Sequence, residues 1–231
     1  NSNYEQMLVA GNTHDFPFVH GSAIVKAGYS FVSCSRSAVE CGDVDIADYK
    51  LVDLILGEQK ETLWRCDSSA CEYRTFSVNL QRELRRYVAK GGALFVSGAY
   101  VASDNWLSVN ATKADQKFVK EVLHVEWRAD RATQDGELKA VYAPNAQFSG
   151  DYQFVQHLNE KIYAVESPDA IVPFGENAYT VMRYSQNNNS AAVAYSGEDY
   201  RVVVCGFPFE TLATEAMQQQ FMQQIIDFLT K

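Results

Sequence analysis

The chain has 231 residues, 47% of them hydrophobic and 21% charged, with a formal net charge of -9. A chain of this length buries a substantial core, and the composition is that of a folded domain, not a disordered one. The acidic balance and the lack of any basic run argue against nucleic acid or an anionic membrane as partner, since both need clustered Lys and Arg, and no apolar run approaches a membrane span.

In chain order, Met7–Ala10 reads as a short buried strand closed by Gly11 and the polar turn Asn12–Asp15. Asp15 is placed to cap a helix with Pro17 in its first turn, an apolar stripe of Val19, Ala23, Ile24 and Ala27, and Gly28 as its stop. Tyr29–Ser33 then reads as a second strand, which makes a βαβ unit. Tyr49–Gly57 is nearly continuously apolar, broken only by Asp53, as in a strand covered on both faces. The polar stretch Glu58–Thr75 is long for a connection.

From Phe76 the period becomes helical, with Leu80, Leu84, Tyr87 and Val88 on one stripe, Lys90 in the last turn and Gly91 as the stop. Ala93–Val96 is the next strand, and Ser97–Asp104 is the loop at its carboxyl end. Thr112 and Asp115 have the spacing of a capping box for a helix whose apolar face is Phe118, Val119, Val122 and Leu123. Alternation on either side of Asp135–Gly136 predicts a hairpin of 125–129 with 138–142, and 144–175 reads as irregular with short strands. Ala178–Tyr184 and Ala191–Tyr195 predict a second hairpin, followed by strand Arg201–Cys205, the loop Gly206–Glu210, and a closing helix carrying Met217, Phe221, Ile225 and Phe228 on its buried stripe.

The five cysteines include the pairs Cys34/Cys41 and Cys66/Cys71, each bracketing a polar loop. Either loop would be closed by a disulfide in an oxidising compartment and left as thiols in a reducing one. Their C-x6-C and C-x4-C spacings, with no adjacent histidine, are not those of a zinc site. His14 and His20 lack the further ligands a metal would need, so neither a metal nor a cofactor is expected. With no repeat and no linker, 1–231 reads as one domain; because it begins at Asn1 it is expected to be processed or cut from a longer protein.

YKLVDLILG, YVAKGGALFVSGAY and SAAVAYSGEDYRVVVCGFPFE together resemble the class I glutamine amidotransferase-like superfamily. GNTHDFPFVHG, LFVSGAYVASD and GFPFE are similar, more narrowly, to the amidotransferase-like module of large exported bacterial proteins labelled xanthan-lyase-like. The resemblance implies an α/β fold: a flavodoxin-like, doubly wound, mostly parallel sheet flanked by helices, with antiparallel hairpins added in the C-terminal half. It also implies an extracytoplasmic, glycan-associated setting, with carbohydrate or other domains of the same protein as partners. The family's elbow cysteine falls at about Ala99, and its late histidine has no counterpart because the last histidine is His157, so the resemblance carries no glutaminase activity.

In a doubly wound sheet, ligands sit beyond the carboxyl ends of the strands. That rule nominates His14, Asp15, Glu58, Ser97, Tyr100, Ser103, Asp104 and Glu210. The alternative is that His14 and Asp15 cap a helix while Ser97 and Asp104 satisfy turn amides. A catalytic version makes Ser97 a nucleophile, with His14 as base and Asp15 or Asp104 orienting it, although Phe95 stands where a G-x-S-x-G elbow has its first glycine. Two functions follow: a non-catalytic binding or scaffold module, or a hydrolase or lyase acting on carbohydrate or peptide through His14, Ser97 and Glu210.

Overall fold

The computed structural model describes residues 16–66, 69–157 and 162–231. In chain order the elements are α1 (Phe16–Lys26), α2 (Arg36–Glu40), β1 (Leu51–Gly57), β2 (Thr62–Cys66), β3 (Ser69–Tyr73), α3 (Val78–Val88), β4 (Ala93–Gly98), α4 (Asp104–Leu107) and α5 (Lys113–Val122). They continue with β5 (Val125–Ala129), β6 (Glu137–Ala140), β7 (Asp151–Gln153), β8 (Ala170–Pro173), β9 (Ala178–Tyr184), β10 (Ser190–Ser196), β11 (Arg201–Cys205) and α6 (Glu215–Leu229).

Seven strands form the main sheet in the order β1-β4-β11-β10-β9-β6-β7. Among the described residues, only β1–β4 and β4–β11 run parallel; the pairs from β11 through β10, β9 and β6 to β7 are antiparallel. This overturns the flavodoxin-like, mostly parallel sheet expected from the sequence. The physical reason is connection length: β9, β10 and β11 are joined by short turns, and a short turn can only bring a strand back antiparallel. Left-handed Asn188, at φ 63°, makes the tight turn of the β9–β10 hairpin possible.

The period-2 rule divides the core in two. Phe95, Val203, Cys205 and Ile55 face one side, where Phe16 and Ala23 of α1 and Phe221, Ile225 and Phe228 of α6 cover them. Leu54, Leu56, Leu94, Val96, Val202 and Val204 face the other, against Leu80, Leu84 and Val88 of α3 and Phe118, Val119 and Val122 of α5. Ser77 caps α3 by accepting from Leu80 N, and Thr112 and Asp115 form a reciprocal capping box on α5.

Three local expectations are corrected. Tyr29–Ser33 forms no strand, and Tyr29, Phe31 and Val32 lie exposed. The hairpin centred on Gly136 does not form: β5 pairs with β8 in a separate two-stranded sheet, while β6 pairs with β7 and β9. The connection after Glu58 holds the β2–β3 hairpin, so it is folded and not merely long. The first predicted strand, Met7–Ala10, lies outside the described residues. Among the described residues, no helix is long and apolar enough to cross a membrane.

Candidate functional site

Polar side chains gather around the carboxyl ends of β1, β4 and β11, and they fall into three groups. In the first, His20 projects from α1 onto the sheet face, where it is 1% exposed. Its Nδ1 lies 2.7 Å from Asp53 Oδ2 and its Nε2 lies 3.2 Å from Glu210 Oε2. Tyr163 donates its hydroxyl to Glu210 Oε1 at 2.6 Å. Phe209, with its ring centroid 4.6 Å away, and Phe95 at 6.2 Å close over the imidazole. Burial alone would push the His20 pKa down, but the charge and hydrogen bond of Asp53, joined by Glu210, overcome it and raise the value to about 9. His20 is therefore an imidazolium at neutral pH, held between two carboxylates.

In the second group, Glu58 is 4% exposed and accepts the Glu166 N–H at 2.8 Å. Burial raises its pKa, the neighbouring negative charges of Glu166 and Glu210 add to the effect, and the Glu166 N–H and Lys60 oppose it, leaving a value of about 7. Lys60 donates to the Tyr100 hydroxyl at 3.2 Å and lies 4.6 Å from the centre of its ring. Burial, reinforced by Glu58, Glu166 and Asp169, pushes the Tyr100 hydroxyl pKa up, so it stays protonated.

The third group is structural. Asp169 is fully buried and accepts the N–H groups of Ala102 and Ser103 at 2.8 and 2.9 Å. Burial lifts its pKa to about 8 against those two donors. Asp104 accepts Glu61 N at 2.7 Å, Thr75 N at 2.8 Å and the Ser108 hydroxyl at 2.5 Å, which pins both ends of the β2–β3 excursion to α4.

The structure thus brings Glu58, Tyr100 and Glu210 close to one another and gives Ser103 and Asp104 tasks in loop architecture. Ser97 is 0% exposed within β4, and its Oγ has no hydrogen-bond partner among the described residues. The buried His20 ring cannot serve it as a base, because both nitrogens already face carboxylates. His14 and Asp15 lie outside the described residues. Sequence reasoning missed Asp53, Tyr163 and Asp169 and set His20 aside. Asp53 carried a signal, as the single charge in an otherwise apolar strand. No group of metal-ligating side chains occurs among the described residues, and Cys205 is a buried thiol whose pKa burial pushes up.

No protein-family model matches the sequence, and no curated protein is significantly similar to it. Solved structures do share the fold. An exo-β-1,4-mannosidase from Opitutaceae bacterium strain TAV5 superposes with a TM-score of 0.54 at 13% identity, over 98% of this chain and 32% of that one. A β-galactosidase from Rahnella sp. R3 gives 0.57 at 12% identity, over 98% and 28% of the two chains. Cytoplasmic protein STM3548 from Salmonella typhimurium gives 0.56 at 14% identity, over 90% and 85%. The chain thus spans about a third or less of the two glycosidases it resembles. These neighbours, with the mixed sheet, overturn the amidotransferase-like and xanthan-lyase-like resemblance drawn from the sequence motifs, and with it goes the ground for an exported setting. The motifs misled because a glycine-ended helix followed by a buried strand is a packing solution that many α/β sheets use.

Proposed function

We propose that the domain acts on carbohydrate through the side chains gathered at the carboxyl ends of β1, β4 and β11. The observation that carries this reading is Glu58, a carboxyl whose pKa of about 7 leaves a large protonated fraction near neutrality, beside the Lys60–Tyr100 pair. A glycosidic oxygen leaves readily only when it is protonated, and a buried carboxyl with a raised pKa suits that step. Glu166, exposed and bonded through its own N–H to Glu58, supplies the second carboxylate such chemistry requires. Tyr100, half-buried, offers an aromatic face and a hydroxyl to a sugar ring. The fold shared with parts of a mannosidase and a β-galactosidase supports the same substrate class.

Glu210 has a different part in this reading. Both its oxygens are occupied, by Tyr163 and His20, so it braces the neighbouring side chains and does not touch substrate.

The test is hydrolysis of lactose and of β-1,4-mannobiose, whose sugar leaving groups need a proton, alongside binding of the same disaccharides followed by calorimetry. Turnover that Glu58→Gln lowers at least a hundredfold, with the fold retained, supports the reading. Binding without turnover reduces it to a binding module, and neither binding nor turnover across the panel overturns it.

A further inference from the structure

Asp169, the residue before β8, ties together elements that lie far apart in the chain. Its carboxyl Oδ2 accepts the N–H groups of Ala102 and Ser103 at 2.8 and 2.9 Å. Its own N–H donates to Gly206 O at 2.7 Å, and its carbonyl accepts the Tyr184 hydroxyl at 2.7 Å. The residues just before it are held as well: Pro168 O accepts Ala132 N at 2.9 Å, Ser167 Oγ accepts Arg131 N at 3.2 Å, and Glu166 N donates to Glu58 Oε1 at 2.8 Å. Segment 166–169 is therefore fixed to the ends of β1 and β11, to β9 and to the turn after β5. The Asp169 carboxyl attaches it to the turn 99–103 that follows β4. Tyr100 belongs to that turn and Glu166 to that segment, so this carboxyl sets how two side chains of the candidate site stand to each other.

The attachment is made by a side chain that is 0% exposed, and its second oxygen, Oδ1, has no hydrogen-bond partner among the described residues. Two backbone amides on one oxygen do not replace the hydration that a carboxylate loses on burial, whereas a neutral carboxylic acid loses far less. Burial accordingly lifts the pKa of Asp169 to about 8 against the donors of Ser103 and Ala102, and the charge of Asp130, directly after β5, adds to the rise. Tyr184 of β9 and Tyr100 of the turn interact with it as neutral hydroxyls. Burial first, and then neighbouring acids with Asp169 among them, push both hydroxyls up, with Arg131 opposing at Tyr100.

We infer that Asp169 is a proton-held latch: with its carboxyl neutral it holds turn 99–103, and so Tyr100, against segment 166–169, and loss of the proton frees the turn. Opening admits water to the carboxyl and returns it to an ordinary acid, so the open form gives up a proton that the closed form keeps. Because the closed form holds its proton up to about pH 8 and the open form only to 3.8, closure is favoured in full below 3.8 and weakens progressively up to about 8. Within that interval the opening constant rises about tenfold per pH unit. At the proposed site, a rise in pH thereby loosens the aromatic face that Tyr100 offers to a sugar. That consequence rests on the carbohydrate reading above, but the latch itself does not.

Hydrogen exchange on the full chain without any sugar present tests the latch, so a failed latch and a failed sugar assay are separate results. Between about pH 5 and pH 7 the Ala102 and Ser103 amides, corrected for intrinsic exchange, are expected to lose about tenfold or more in protection, while Leu94 and Val96 within β4 lose clearly less. Asp169→Asn keeps an acceptor in place and carries no charge at any pH, so it should hold the protection of both amides within about threefold over that interval. The carboxyl carbon-13 signal of Asp169 in the unaltered protein checks the proton without relying on the variant to fold, and it should report a neutral acid at about pH 6. An ionised Asp169 at that pH overturns the proposal. So does protection of the two amides that ignores pH, that falls in step with Leu94 and Val96, or that keeps its pH dependence in Asp169→Asn.

Discussion

His20 and Glu210 are 190 residues apart in sequence, yet the imidazole Nε2 lies 3.2 Å from the carboxylate, and Asp53 holds the opposite nitrogen at 2.7 Å. One side chain from α1 thereby joins the parallel strand β1 to the loop that follows β11. Replacing His20 by alanine leaves two carboxylates beneath Phe95 and Phe209 without their shared counter-charge. Removing one partner of a buried ion pair costs about 3 kcal/mol or more. His20→Ala is expected to lower the unfolding free energy by about that amount, read as a lower urea midpoint. A loss under about 1 kcal/mol would show that the network contributes little net stability.

The same network fixes the sign of the pH dependence. His20 has its pKa raised from 6.5 to about 9, so its contribution is complete below about 6.5 and lost as pH rises through about 9. Glu58, raised from 4.5 to about 7, and Asp169, raised from 3.8 to about 8, also bind protons more tightly in the folded state. Each therefore costs stability progressively as pH rises from its ordinary value to its raised one, from 4.5 to about 7 for Glu58 and from 3.8 to about 8 for Asp169. All three shifts act in one direction, so the thermal midpoint is expected to fall from about pH 5 to pH 9. A midpoint that rises across this interval would contradict the assigned protonation states.

If Glu58 donates a proton to the leaving group, activity falls as pH rises through about 7, because the active form is the protonated carboxyl. Lys60 opposes that shift and Glu166 adds to it. Lys60→Met is therefore expected to move the alkaline limb upward. Equal limbs in the two proteins would remove Glu58 from the acid role.

These groups also show how far local pattern carries. The stripe of α3, the Thr112–Asp115 capping box and the β9–β10 hairpin were legible because each is decided within a few residues. Strand direction and partner choice were not, since they depend on which edges remain free once the sheet assembles. The β5–β8 pairing joins segments more than 40 residues apart with no turn signal between them. The strand-end rule named Glu58, Tyr100 and Glu210, which the fold brings close together, but not Tyr163 or Asp169, which come from a stretch with no readable periodicity. A buried aspartate such as Asp169 is placed by the amides that surround it, and those amides carry no side-chain signature.

Asp104 supplies a case where the candidate site and the architecture separate. Its carboxylate accepts two backbone N–H groups and a hydroxyl from three different segments. Asp104→Ala leaves Thr75 N, which is buried, without that partner, at a cost of about 1–3 kcal/mol. The variant should be destabilised and should open the β2–β3 hairpin to proteolysis, while any sugar affinity measured on the folded fraction changes little. A loss of affinity without a loss of stability would instead place Asp104 in contact with ligand.

Gly206, directly after β11, tests the closest backbone approach at the carboxyl end of that strand. Gly206 links two segments in a narrow space: Asp169 N donates to Gly206 O at 2.7 Å, and Gly206 N donates to Ala191 O at 2.8 Å. A Cβ on residue 206 would lie 2.1 Å from Asp169 O, a backbone atom that Tyr184 also holds through its hydroxyl at 2.7 Å. Because no flexible side chain can yield, the backbone must move, and with it the Ala102 and Ser103 amides that Asp169 binds. Gly206→Ala is expected to cost about 2–4 kcal/mol, the range of forced overpacking joined to a broken buried hydrogen bond. By contrast, alanine at Gly42, where nothing lies within 4 Å, meets only the penalty of its φ of +82° and should cost about 1 kcal/mol. Chemical denaturation of the two variants side by side checks the ranking, and an equal cost at both positions would show that the approach at Gly206 is not tight.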